Sequence, residues 1–377
     1  MKIVVAPDSF KESMTALEVA DACERGIKRA IPGADVVKVP MADGGEGTVQ
    51  SLVDATGGEL FYHSVTGPLG DEVRAAYGML GDGKTAVIEM AEASGLHLVP
   101  PCNREPLLAT TRGTGELMQA ALDAGAKHLI IGLGGSATND GGAGMAAALG
   151  VKFLDAHGKT LQDGAGALKE LAEVDLKGLD PRWQHVSVEV ACDVENPLIG
   201  PNGASVVFGP QKGADEEMVQ QLDNILEHYA AIVEAAVGKT IKQVPGAGAA
   251  GGLGAGLIAF VPAKLKSGIT IVKEAAGLAD HMKDAQLVIT GEGKIDGQTI
   301  YGKTPIGVAK TAKQFEIPVI AIAGNIGKGS EAVYDHGIDA VFSITPGVID
   351  LEKALENGAA NVEQTLYNIS KMLQLSR

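Results

Sequence analysis

Carboxylates stand directly behind several short apolar, β-branched runs of this chain. Asp8 follows Ile3–Ala6, with Lys11 in the same loop. Asp43 opens Asp43-Gly44-Gly45-Glu46-Gly47 after the run Val36–Val39, and Asp193 follows Val188–Cys192. Glu292, Lys294 and Asp296 share the short loop that follows Leu287–Thr290. In open α/β sheets the loops at the carboxyl ends of strands bind ligands. A carboxylate held there can act as a catalytic base or ligate a hard cation, and a lysine can neutralise a carboxylate or phosphate. Each feature also has a purely structural reading. Asp43 with Glu46 has capping-box spacing, Asp193 can form a turn with Asn196-Pro197, and a single lysine is usually a solvated surface charge.

Glycine-rich stretches form the second group. Gly132–Gly142 follows an apolar run and carries Ser136, Thr138, Asn139 and Asp140, more polar groups than one helix cap needs. Its glycines, Gly134 and Gly135 among them, let a ligand approach the backbone. Gly246–Gly251 fits G-x-G-x-x-G, but no clear strand precedes it. Its two readings are a phosphate cradle, through Gly248 and Gly251, and a tight turn into a closely packed small-residue helix over Gly251–Val261. Two stretches fit G-x-x-x-x-G-K-[ST]. Gly78–Thr85 runs into a β-branched segment and reads as a hairpin. Gly297–Thr304 leads into a helix, but a strand ending near Thr290 leaves too long a loop for a phosphate cradle. Arg112, beside Thr111 and Gly113 at a helix start, and Lys212, in Pro210-Gln211-Lys212-Gly213, are further anion candidates.

The elements that must position these residues alternate strand and helix at both ends of the chain. The first strand is followed by a helix that Thr15 and Glu18 cap reciprocally. The last third reads as strands at Leu287–Thr290, Val319–Ala323 and Ala340–Ile344, each followed by a helix, the last over 350–373. The middle differs, with hairpin signals around Asp82-Gly83 and a long amphipathic helix over 215–237. The pattern predicts an α/β protein of two domains. One is a doubly wound parallel-sheet domain built from residues 1–62 and 285–377. The other is a mixed α/β domain, 63–284, inserted between them, with the active site expected in the cleft.

Composition narrows the function classes. The chain has 377 residues, 51 of them glycine, and a net charge of −16, which disfavours a nucleic-acid partner. Its three cysteines, Cys23, Cys102 and Cys192, form no CxxC pair. No apolar run approaches the roughly 18–20 residues of a membrane span. The start of the chain lacks a secretory pattern, so the cytoplasm is the expected compartment.

Five motifs taken together carry a resemblance. They are Ala6-Pro7-Asp8-Ser9-Phe10-Lys11-Glu12-Ser13, Ala42-Asp43-Gly44-Gly45-Glu46-Gly47-Thr48, Gly134–Gly142, Phe208–Ala214 and Thr290–Asp296. In that order, and over nearly the whole chain, the sequence resembles the bacterial type-1 glycerate kinases. The resemblance implies a flavodoxin-like or Rossmann-like part with an inserted part. It also implies ATP-dependent phosphorylation of D-glycerate, at the 2-hydroxyl, with Mg²⁺. On that reading Asp193 is the first candidate base and Asp8 the second, with Lys11 at the catalytic centre. Lys11, Arg112, Ser136, Asn139 and Asp43 would bind substrate. Gly134, Gly135, Lys212, Gly248, Gly251 and Lys294 would bind nucleotide phosphates, and Asp296, Glu292 and Asp140 the metal. Phosphorylation at the 3-hydroxyl, a nicotinamide-dependent hydroxy-acid dehydrogenase and a non-catalytic ligand-binding protein remain as alternatives, and monomer or homodimer is open.

Overall fold

A computed structural model of the chain describes residues 1–375. In chain order the strands are β1 (Lys2–Pro7), β2 (Asp35–Lys38), β3 (Glu59–Thr66), β4 (Glu72–Met79), β5 (Thr85–Glu89), β6 (His128–Gly132), β7 (Lys152–Leu154), β8 (Glu173–Asp175), β9 (Ser187–Ala191), β10 (Ala263–Lys266), β11 (Leu287–Ile295), β12 (Val319–Ile326) and β13 (Ala340–Ser343). The chain divides into two compact units. The first comprises Met1–Asp43, Gln50–Gly57 and the residues from Ile269 onward; the second comprises Gly44–Val49 and Gly58–Gly268.

The first unit holds a five-stranded sheet of order β13-β12-β11-β1-β2. Every pairing in it is parallel. Counted by the unit's own strands this is the flavodoxin-like order, and its direction reverses between β1 and β11. That reversal is the topological switch point, where such sheets open a crevice beyond their carboxyl ends. β1 reads as a continuous apolar run because both faces of the sheet are covered there: Ile3, Val4, Val5 and Ala6 are fully buried. Ile3, Val5, Ile289 and Ile322 form one core with Val19, Cys23 and Ile27 of the helix Ala16–Ala30 and Val362, Leu366 and Ile369 of the helix Gly358–Leu375. The predicted capping box is present: Thr15 Oγ1 accepts from the Glu18 N–H at 3.2 Å, and Glu18 Oε2 accepts from the Thr15 N–H at 2.8 Å.

Three elements differ from expectation. β11 does not stop near Thr290 but runs to Ile295, because its later residues continue to pair with Asn325 and Ile326 of β12. The closing helix is two, Leu351–Glu356 and Gly358–Leu375. The helix expected right after Asp43 starts only at Thr48, since Gly44 and Gly47 take φ of +94° and +87°. Asp43 and Glu46 therefore stand outside its first turn.

The second unit holds a six-stranded sheet of order β10-β9-β6-β5-β4-β3. Four strands run parallel, and β4 and β3 are antiparallel additions. The expected hairpin at Asp82 joins β4 and β5, with Asp82 Oδ1 accepting from the N–H groups of Lys84 and Thr85 at 2.8 Å each. The long helix is Glu216–Val237, capped by Asp215, whose side chain accepts from the Met218 N–H. Among the described residues no helix is long and apolar enough to cross a membrane.

Candidate active site

At the switch point of the first unit, Asp8 directly follows β1 and β11 carries Glu292. Asp8 is half-buried, and both its oxygens are engaged. Oδ1 accepts from the Ser9 N–H at 2.6 Å and Oδ2 from the Thr304 hydroxyl at 2.5 Å. Burial lifts its pKa to about 6, the Thr304 bond opposes that rise, and the charges of Asp43 and Glu292 add to it. Glu292 is 9% exposed; burial raises its pKa, against the Thr299 hydroxyl, which donates to Oε1 at 2.7 Å, and Lys303, whose Nζ lies 3.3 Å from Oε2. Asp43 acts on both neighbours, raising Asp8 and Glu292 alike. The fold thus gathers three of the predicted carboxylates. Lys11 is exposed in the turn that follows Asp8. That turn passes β11 closely: a Cβ on Gly293 would stand 3.7 Å from the backbone nitrogen of Lys11. Lys294 and Asp296 pair with each other at 2.8 Å, and Lys294 holds the Asp296 carboxyl below the usual range.

The predicted residues of the second unit are largely occupied with one another. Lys212 is 1% exposed, and its ammonium donates to Ser136 Oγ at 2.8 Å and the Thr138 carbonyl at 2.6 Å. Burial brings its pKa down to about 7, and Asp140 opposes that fall. Asp140 is fully buried. It accepts from the Thr111 N–H and hydroxyl at 2.9 Å each, and from the N–H groups of Gly142 and Gly144 at 3.1 Å each. Those bonds fix the start of the helix Ala143–Ala148, the capping role weighed for it above. Asn139 donates to Ser205 Oγ at 3.0 Å, and its Oδ1 is buried without a donor. Arg112 forms a two-point ion pair with Asp163, with Nη2 to Oδ1 at 2.9 Å. Gly134 and Gly135 are exposed at the end of β6.

Gly248 and Gly251 are buried in backbone crossings. A Cβ on Gly248 would lie 2.2 Å from the Pro197 carbonyl oxygen, and one on Gly251 1.9 Å from that of Thr138. Ala250, Gly251 and Gly252 all have positive φ, at 52°, 66° and 90°. The G-x-G-x-x-G run therefore serves close backbone packing at the start of a small-residue helix. Asp193 is exposed at the tip of β9 and accepts from the Gly268 N–H at 3.1 Å.

Sequence reasoning passed over Glu89. It ends β5, accepts from the N–H groups of Val49 and Gly47, and is lifted by burial to about 7. The strand-end rule that singled out Asp193 would have found it. Thr299, Lys303 and Thr304 were seen only as part of a pattern, without their carboxylate partners.

Comparison with known proteins shows the family. The glycerate kinase family model matches residues 3–374. A glycerate kinase of Bacillus subtilis (strain 168) is 60% identical, over 100% of this chain and 99% of the relative. A glycerate 2-kinase of Escherichia coli (strain K12) is 54% identical, over 100% and 98%. A crystal structure from Salmonella typhimurium LT2, assigned as a glycerate kinase 2, is 53% identical and superposes with a TM-score of 0.93 over 100% of this chain and 99% of the other. The class is an α/β phosphotransferase with an alcohol acceptor. More narrowly, the chain belongs to the glycerate kinase family.

Proposed function

We propose that the chain transfers the γ-phosphoryl group of ATP to the 2-hydroxyl of D-glycerate, with Asp8 as the base, and that it does so in the cytoplasm. The observation that carries the role of Asp8 is its place: a half-buried carboxylate at the switch point, held by Ser9 and Thr304 and titrating near 6. The similarity to a relative named as a glycerate 2-kinase supports the choice of hydroxyl, and the unpaired cysteines suit a reducing compartment.

In the transfer, the glycerate oxygen bonds to the γ-phosphorus as the bond to the β–γ bridging oxygen breaks. The hydroxyl proton passes to Asp8 and ADP leaves. Phosphoryl transfer needs positioning and charge neutralisation more than covalent help. A carboxylate has about four acceptor sites, and the Ser9 N–H, the Ser9 hydroxyl and Thr304 use three of those on Asp8, which leaves room for the substrate proton. Lys11, exposed beside the same strand end, would meet the substrate carboxylate.

Mg²⁺ fits the donor set. Asp8, Asp43 and Glu292 are hard oxygen donors whose charges repel one another. No group of three or more side chains among the described residues forms a ready metal cage. The ion would therefore come with the nucleotide, and Asp43 and Glu292 would hold it. When bound it supplies neutralisation of the β- and γ-phosphate charge.

The test is ADP release as a function of pH, with D-glycerate, ATP and Mg²⁺. Asp8 must be ionised to take the proton, so kcat/KM is flat above its pKa and falls about tenfold per pH unit below roughly 6. A kcat/KM that stays level through that range would remove Asp8 from the role. ADP release indifferent to D-glycerate would remove the substrate.

A further inference from the structure

The run Gly297–Thr304 fits the phosphate-cradle pattern, and the extension of β11 to Ile295 supplies the strand that the pattern requires. Its polar side chains nevertheless point to a different use. Thr299 donates to Glu292 at 2.7 Å, Lys303 pairs with Glu292 at 3.3 Å, and Thr304 donates to Asp8 at 2.5 Å. The lysine and threonine that would serve phosphate and metal in such a loop are thus both directed to carboxylates. The geometry points to Thr304 as a positioning residue for the reaction: its hydroxyl fixes the Asp8 carboxylate in the orientation that receives the substrate proton.

Thr304 suits that task. It is fully buried at the first position of the helix Thr304–Lys313, with Lys303 before it and Pro305 behind. Proline has a preset φ, and the β-branched side chain has few rotamers, so the hydroxyl is rigidly placed. The contact joins residues 296 apart in the chain, across the parallel sheet. The charges of Asp43 and Glu292 also act on Asp8, and their repulsion pushes the carboxylate from its place unless a donor holds it. Ser9 anchors Oδ1 alone, through its N–H at 2.6 Å and its hydroxyl at 3.3 Å. The Thr304 bond holds the other oxygen, Oδ2, and so fixes the carboxylate plane.

This inference rests on the reading of Asp8 as the base. Thr304→Val keeps the shape and deletes the hydroxyl; Thr304→Ser keeps the hydroxyl. We expect Thr304→Val to lower kcat by about tenfold to a hundredfold, with KM for ATP and for D-glycerate within about threefold. Thr304→Ser should return kcat to within about threefold of the parent. Thr311→Val is the control: it deletes a buried hydroxyl of the same helix, bonded to the Gly307 carbonyl at 3.0 Å, and should leave kcat unchanged. Should Thr304→Val not fold, Thr304→Ala is read by the same criteria. An unchanged kcat in the hydroxyl-free variant, a loss seen only in KM, or no recovery in Thr304→Ser would overturn the role. Those outcomes with a parent enzyme that Asp8→Asn inactivates would leave the proposed base standing. A parent that releases no ADP with D-glycerate would instead strike the proposed function itself.

Discussion

Asp8→Asn lowers kcat by about 10²- to 10⁴-fold while ATP binding stays within a few-fold of the parent. The amide is nearly isosteric with the carboxylate: its oxygen can still accept from the Ser9 N–H, while its NH2 can donate to the Thr304 hydroxyl oxygen, so the local fold survives. What it loses is basicity. An amide cannot take the hydroxyl proton, so the interaction missing from the variant is one made only as the bond to phosphorus forms. Such a loss appears equally in kcat and kcat/KM. The variant also removes one of three mutually repelling acids, so Glu292 should ionise more readily. A retained kcat would mean that the proton leaves by another route, and Asp193, exposed at the tip of β9, would be the next carboxylate to replace.

The largest effect on stability is expected at a different predicted residue. Asp140→Ala should destabilise the protein by about 3–5 kcal/mol, read as a fall in the denaturant midpoint. The fully buried carboxylate satisfies the backbone N–H groups of Thr111, Gly142 and Gly144 and the Thr111 hydroxyl. Alanine leaves the three amides without that acceptor where water does not replace it. It also removes the negative charge that favours the protonated form of buried Lys212. Asp140→Asn, which keeps an acceptor oxygen, should lose less. A cost for alanine under about 1 kcal/mol would show that the loop re-forms its hydrogen bonds elsewhere.

What the sequence made legible was local. The apolar run of β1, the Thr15–Glu18 cap and the Asp82 hairpin are each encoded within a few residues, and each appears in the structure. Strand-end carboxylates were also legible, because a buried strand can be read from its β-branched residues and its end from the first acid. The length of β11 was not. Gly291, Glu292 and Gly293 look like a loop, yet pairing with β12 holds them extended, and only that pairing brings Gly297–Thr304 close behind a strand. Glycine spacing left two readings open at Gly248 and Gly251, and there bare backbone lies against the carbonyls of Pro197 and Thr138. Partners far apart in the chain left no trace in the residues themselves. Arg112 gives no hint of Asp163, nor Lys212 of Ser136, nor Thr304 of Asp8. A lysine after glutamine and before glycine reads as a surface charge; its burial is made by the fold.

The central claim is transfer to the 2-hydroxyl of D-glycerate, and it is tested most directly by phosphorus NMR of the product formed from D-glycerate, ATP and Mg²⁺. The predicted result is a 2-phosphoglycerate signal that grows in step with ADP and is absent without D-glycerate. A 3-phosphoglycerate signal would contradict the choice of hydroxyl, and no phosphorylated glycerate at all would contradict the account.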